Sequence, residues 1–244
     1  MLNLEFSSDG SLYINGVKQE PSVRRLSDML EVLYDASFVQ KADLNQPLYF
    51  MYRDIARPED RQLFIEIQLR YDVTIMLPTT LGLEYNKTLG HYHPKASGNL
   101  TYMEVYEVLH GKAHYLLQKV SNNEVLDVVL VEASEGDKIV IPSGYGHITI
   151  NPSTNDCLVM SNLVCRSFKS IYGPIKKLRG GAYYELTTGE LIPNNNYVVR
   201  GIKRCKAENS FTLKFNGRDL YSLFIERPDS FLFLKDPSRY QQTP

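Results

Sequence analysis

The sequence predicts an all-β protein with a single barrel-like core, and three observations carry that reading. Runs rich in Val, Ile, Thr and Tyr recur between residues 63 and 164. Gly, Pro, Asn and Asp separate them. At 244 residues, the chain suits one β-rich domain and not two large ones. The predicted strands cover Leu63–Tyr71, Val73–Leu77, Met103–Leu109, Ala113–Val120, Val125–Glu132, Lys138–Ile141, Gly146–Ile150 and Cys157–Val164. Two hairpins are expected, at Leu109-His110-Gly111-Lys112 and at Ser121-Asn122-Asn123, so neighbouring strands should run antiparallel. The main expected helix is short, Ser27–Tyr34, with Ser27 as its cap and Asp28 and Glu31 in its first turn. Residues 1–197 form the expected domain, including an N-terminal arm. Residues 198–244 read as an extension packed on it, with Ser210–Leu234 as further strands or an arm.

Composition excludes several functional classes. Lys plus Arg number 27 against 28 for Asp plus Glu, which offers no basic field to a nucleic-acid backbone. Apolar runs such as Val128-Val129-Leu130-Val131 are far short of the roughly 20 residues a bilayer-spanning helix needs. Met1–Gly10 has no cationic head or apolar stretch of the secretory kind. The three cysteines, Cys157, Cys165 and Cys205, are odd in number and lack CxxC spacing, arguing against a disulfide framework and for a reducing cytoplasm.

The chemistry concentrates in the histidines. All five lie between His91 and His147. On a strand, His91 and His93 leave the same face and can converge on one ion, whereas a helix would splay them. Glu104 shares a face with Tyr106 and Val108, and His147 shares one with Thr149. If those faces line a barrel interior, three imidazoles and one carboxylate meet. His110, in a turn, and His114 read as ordinary surface or core residues. Arg24 and Arg25 read as a solvated basic pair or a structural salt bridge.

Around the last histidine the chain reads Gly136, five residues, Pro142, one residue, Gly144, two residues, His147, three residues, Asn151. This matches the second signature motif of the cupin superfamily at every position. His91-x-His93 followed by Glu104 and Gly111 resembles the first motif, with a longer gap of ten residues between His93 and Glu104. That gap resembles the archaeal-type, metal-dependent phosphoglucose isomerases (glucose-6-phosphate isomerases) of the cupin superfamily. So do Ser22-Val23-Arg24-Arg25-Leu26-Ser27-Asp28-Met29, Thr88-Leu89-Gly90-His91-Tyr92-His93, Glu104-Val105-Tyr106 and Leu116-Leu117-Gln118. The likeness covers about Ser22 to Tyr197.

The resemblance implies a cupin barrel, a double-stranded β-helix or jelly roll, with short helices and a C-terminal extension. It implies one divalent ion per subunit held by His91, His93, Glu104 and His147, with Fe(II) expected and Mn(II), Ni(II) or Zn(II) possible. Glu104 and Tyr106 would act on the sugar. Tyr49, Thr74, Thr88, Gly90 and Tyr172 would bind the sugar phosphate; apart from the resemblance, the nearness of Lys87 and Lys95 in the sequence suggests that they add charge there. The activity implied is interconversion of glucose 6-phosphate and fructose 6-phosphate, in glycolysis and gluconeogenesis, by proton transfer through a cis-enediol or by a metal-assisted hydride shift. A cytoplasmic homodimer acting on a small molecule, with no nucleic-acid or membrane partner, completes the expectation. The competing readings are a non-haem iron dioxygenase and a non-catalytic sugar-phosphate-binding module. Ser170 stands where the family often has histidine.

Overall fold

Two six-stranded sheets face each other across a lumen in the structure, a computed structural model that describes residues 2–207 and 218–240. The first sheet runs, in spatial order, Lys138–Ile141, Glu104–His110, Leu158–Cys165, Leu69–Met76, Pro47–Tyr52 and Ser22–Arg25. The second runs Lys203–Lys206, Glu124–Ser134, Lys112–Ser121, Gly146–Asn151, Glu84–Lys87 and Thr80–Leu81. The fold is the all-β cupin type. Every pairing within these sheets is antiparallel except Lys203–Lys206, which joins Glu124–Ser134 in parallel.

Side-chain alternation divides the core into three layers. Between the sheets lie Tyr106, Val108, Ala113, Tyr115, Leu117, Ile139, Leu158 and Met160. Behind the first sheet, Tyr71, Val73, Val105, Val159 and Leu163 pack on Phe64, Leu220, Phe224 and Phe231. Behind the second, Leu116, Leu130, Ile148 and Ile150 pack on Ala182, Tyr183 and Tyr197. A strand covered on both faces has no reason to alternate apolar with polar, and Leu158–Cys165 is accordingly buried at every position.

Several expectations are corrected here. Residues 63–67 of the predicted Leu63–Tyr71 strand belong to the helix Arg61–Ile67, which Gln68 ends at φ 63° before the strand Leu69–Met76 begins. Leu63, Phe64 and Ile67 are spaced to share one helical face; Phe64 is buried while Ile65 points outward. The predicted helix Ser27–Tyr34 is replaced by two 3-10 turns, Leu26–Asp28 and Leu30–Val32. The buried residues Leu26, Met29 and Val32 recur every third position, the period of a 3-10 turn. The cap is supplied by Asp28, which accepts the Arg25 N–H at 2.9 Å, and not by Ser27.

The Ser121–Asn123 turn is a hairpin with Asn122 at φ 57°. Leu109–Lys112 is not one: its flanking strands lie in different sheets, so it is a corner between layers. Gly111 makes the corner at φ 81°, and a Cβ there would sit 2.7 Å from the Cys157 carbonyl oxygen. In the tail, residues 210–217 of the expected Ser210–Leu234 stretch lie outside the described residues. The remainder is helical and not extended, with Leu220–Glu226 an α-helix and Pro228–Leu234 a 3-10 segment. Phe224 packs tilted on Phe64 with ring centroids 4.5 Å apart, so this helical part of the tail belongs to the core behind the first sheet.

Candidate metal centre and active site

The cage begins with a glycine. Gly90 takes φ 77°, and a Cβ at that position would meet Ile148 Cγ1 at 2.4 Å. This close approach lets His91 and His147 exchange backbone hydrogen bonds of 3.2 and 3.0 Å, which sets their rings side by side with centroids 4.4 Å apart. His93 leaves the same face two residues later. Tyr92 leaves the opposite face and accepts a hydrogen bond from Gln118 at 2.8 Å.

Glu104 comes from the other sheet. The ten-residue gap before it folds as a small hairpin, Lys95–Ser97 with Leu100–Thr101. Its exit places the Tyr102 carbonyl 2.9 Å from His93 Nδ1. That carbonyl can only accept, so Nδ1 carries a proton and Nε2 is the nitrogen turned inward. The longer gap thereby orients the His93 ring.

One donor atom from each of His91, His93, Glu104 and His147 lies within 4.8 Å of the others. His93 Nε2 is 3.2 Å from His91 Nε2 and 3.2 Å from Glu104 Oε2, while His147 Nε2 is 3.4 Å from that same oxygen. Glu104 Oε2 is buried without a hydrogen-bond partner, and Asn162 Nδ2 donates to Oε1 at 2.7 Å. Burial drives the His91 ring well below its ordinary pKa, helped by His147 and His93; burial likewise lowers His147 to about 4, against the pull of Glu104. Both are neutral near pH 7. Burial pushes the Glu104 carboxyl up, but His93, His147 and Arg70 outweigh it and keep the group below the usual range. Neutral imidazoles, an ionised carboxylate and an unpaired buried oxygen fit a divalent cation, and the N/O donor set without thiolate suits a first-row transition ion.

The cage forms the floor of a cavity that opens to solvent. Tyr49, Thr74, Thr88, Gly90, Tyr106 and Tyr172 all line it together with the four cage residues. Tyr106 Oη lies 3.2 Å from His147 Nε2, and burial beside Glu104 holds its phenol far above the ordinary pKa. The Tyr49 hydroxyl accepts the Leu89 N–H at 3.1 Å. Other expectations fail. Lys87 is buried against Glu84 and the Tyr184 ring, and Lys95 bonds Asn99 in the hairpin; neither lines the cavity. Arg24 is half-buried in the cavity wall with no ion pair among the described residues, its Nε unpartnered and its guanidinium 5.8 Å from the Tyr172 ring centre. His114 packs outside the lumen and pairs with Glu185 at 2.8 Å, and His110 is half-exposed beside Phe6, as expected for structural histidines.

Sequence reasoning missed Arg53, Arg70 and Asn162 in the wall. Asp72, 1% exposed, accepts from Arg53 at 2.7 Å and Arg70 at 3.0 Å. Arg70 and Asp72 are two apart on one strand, so their shared face was available as a signal once that strand is started at Leu69.

Facing sheets whose lumen holds three histidines and a carboxylate define a cupin with a candidate metal centre. The sequence comparisons narrow the class. The family described as Glucose-6-phosphate isomerase (GPI) matches residues 23–200, and the chain belongs to that family. A glucose-6-phosphate isomerase of Thermococcus litoralis is 31% identical over 53% of this chain and 62% of its own length. One of Pyrococcus furiosus is 30% identical over 57% of this chain and 66% of its own. The chain thus spans somewhat under two thirds of these curated relatives. Among solved structures, vicilin of hazelnut, Corylus avellana, aligns with a TM-score of 0.34 and 14% identity over 51% of this chain and 30% of its own. No helix among the described residues is long and apolar enough to cross a membrane.

Proposed function

We propose that the chain is a metal-dependent glucose-6-phosphate isomerase interconverting glucose 6-phosphate and fructose 6-phosphate. The observation that carries this reading is the placement of the four-ligand cage at the floor of a cavity whose wall holds the hydroxyl, amide and guanidinium groups a phosphate needs. Membership in the family supports it. His91, His93, Glu104 and His147 hold the ion, with Fe(II) proposed ahead of Mn(II), Ni(II) and Zn(II). When bound, it supplies Lewis-acid stabilisation of negative charge developing on the oxygens at C1 and C2.

The chain's own groups do the rest. Tyr49, Thr74, Thr88, the Gly90 amide and Tyr172 seat the phosphate end, and Arg24 adds the charge that Lys87 and Lys95 do not. Tyr106 faces the sugar hydroxyls. Glu104 takes the proton from one carbon of the C1–C2 pair and returns it to the other. We further propose residues 1–197 as the catalytic domain and 198–244 as a packed extension. A reducing cytoplasm suits the free thiols of Cys157, Cys165 and Cys205. A homodimer is proposed with it, checked by light scattering.

The test is a coupled assay with fructose 6-phosphate on chelated protein reloaded with Fe, Mn, Ni or Zn. Turnover should return with at least one ion; none with all four would refute the assignment. Arg24→Ala should raise the KM for fructose 6-phosphate about tenfold or more, the scale of one lost hydrogen bond to a charged group. A larger fall in kcat than in affinity would remove Arg24 from the phosphate end.

A further inference from the structure

Glu104 is asked to do two things, and the group that reconciles them lies outside the ligand set. Asn162 sits mid-strand in Leu158–Cys165, 3% exposed, with Tyr106 opposite it on one side and Asp72 on the other. Its Nδ2 donates to Glu104 Oε1 at 2.7 Å. The amide can only be oriented this way, because an ionised carboxylate accepts and never donates. The remaining oxygen, Oε2, has no hydrogen-bond partner and faces His93 and His147 at 3.2 and 3.4 Å.

We propose that Asn162 is a positioning residue that holds the Glu104 carboxylate with Oε2 turned into the cage. The proposal rests on reading the cage as a metal site. With Oε1 tied to a rigid central strand, the carboxylate cannot rotate to turn Oε2 away from the cage. Oε2 binds, and Oε1 keeps a lone pair beside the amide bond. Without the amide, Oε1 would be a buried anionic oxygen lacking a donor, and the side chain would turn to find one.

The experiment is calorimetric titration of Mn(II) into the chelated full-length chain, in four forms: wild type, Asn162→Leu, Glu104→Gln and the double variant. Asn162→Leu keeps the side-chain volume and removes the donor. It should weaken Mn(II) binding about 10- to 100-fold in the wild-type background. In the Glu104→Gln background it should cost little, because the carboxylate it positions is gone. Melting of the chelated proteins reports folding, and Asn162→Ala replaces the leucine variant if that one fails to fold, with the same expectation. Unchanged affinity in the single variant, or an equal loss in both backgrounds, would overturn the positioning role. Wild type that takes up none of Mn(II), Fe(II), Ni(II) and Zn(II) would overturn the metal reading and this proposal together, whereas uptake of an ion without the expected coupling sinks only the latter.

Discussion

His147→Ala is expected to release the divalent ion and to lower isomerase turnover by on the order of a thousandfold or more, the scale of losing Lewis-acid stabilisation of the developing charge. His147 is 1% exposed at the centre of the second sheet, with Nε2 within 3.4 Å of Glu104 Oε2 and 3.2 Å of Tyr106 Oη. Its removal deletes one of four donors and leaves the buried carboxylate and phenol facing a void. The backbone bonds between residues 91 and 147 need no imidazole, so the sheet should survive. Metal content by elemental analysis and kcat should fall together. His114→Ala is the control, since His114 pairs with Glu185 outside the lumen and its loss should leave both quantities unchanged. A His147→Ala protein that keeps its ion but loses turnover would move His147 from ligand to some other role.

The histidines of the cage were legible because their signal is local. His91 and His93 needed only strand alternation, and His147 came with the glycines and proline that turn the chain into its strand. The helix Arg61–Ile67 was hidden by composition: its isoleucines favour strands, and only the Leu63, Phe64, Ile67 spacing betrayed a helical face. The Leu109–Lys112 corner was invisible for another reason. A glycine between two alternating runs fits a hairpin and a sheet-to-sheet turn equally well, and the Cys157 carbonyl that decides between them lies far along the chain. Arg24 illustrates the same limit. Beside Arg25 it reads as a surface pair, yet the pairing of Ser22–Arg25 with Pro47–Tyr52 sets it beside Tyr49 in the cavity wall. Asn162 offered no signal, because its partner stands on another strand 58 residues away.

Glu104→Gln should preserve the fold and lose about 10²- to 10⁴-fold in kcat, the usual contribution of a general base. The substitution is nearly isosteric, but its polarity is instructive. The glutamine oxygen can still accept from Asn162, which then turns the new NH2 toward the cage. There it would aim N–H donors at His93 Nε2 and His147 Nε2, where Glu104 offers an unpaired oxygen. The same atom exchange thus removes the base and opposes the cation, so metal affinity should fall with kcat. Solvent deuterium separates the two chemical routes in the wild type. Proton transfer through Glu104 exchanges label with water, so fructose 6-phosphate formed in D2O should carry deuterium at C1. A hydride shift would leave that carbon unlabelled and reduce Glu104 to a ligand. If Glu104→Gln retains the ion and turns over near the wild-type rate, Glu104 is neither the base nor an essential ligand, and the proton must travel through another group in the cavity.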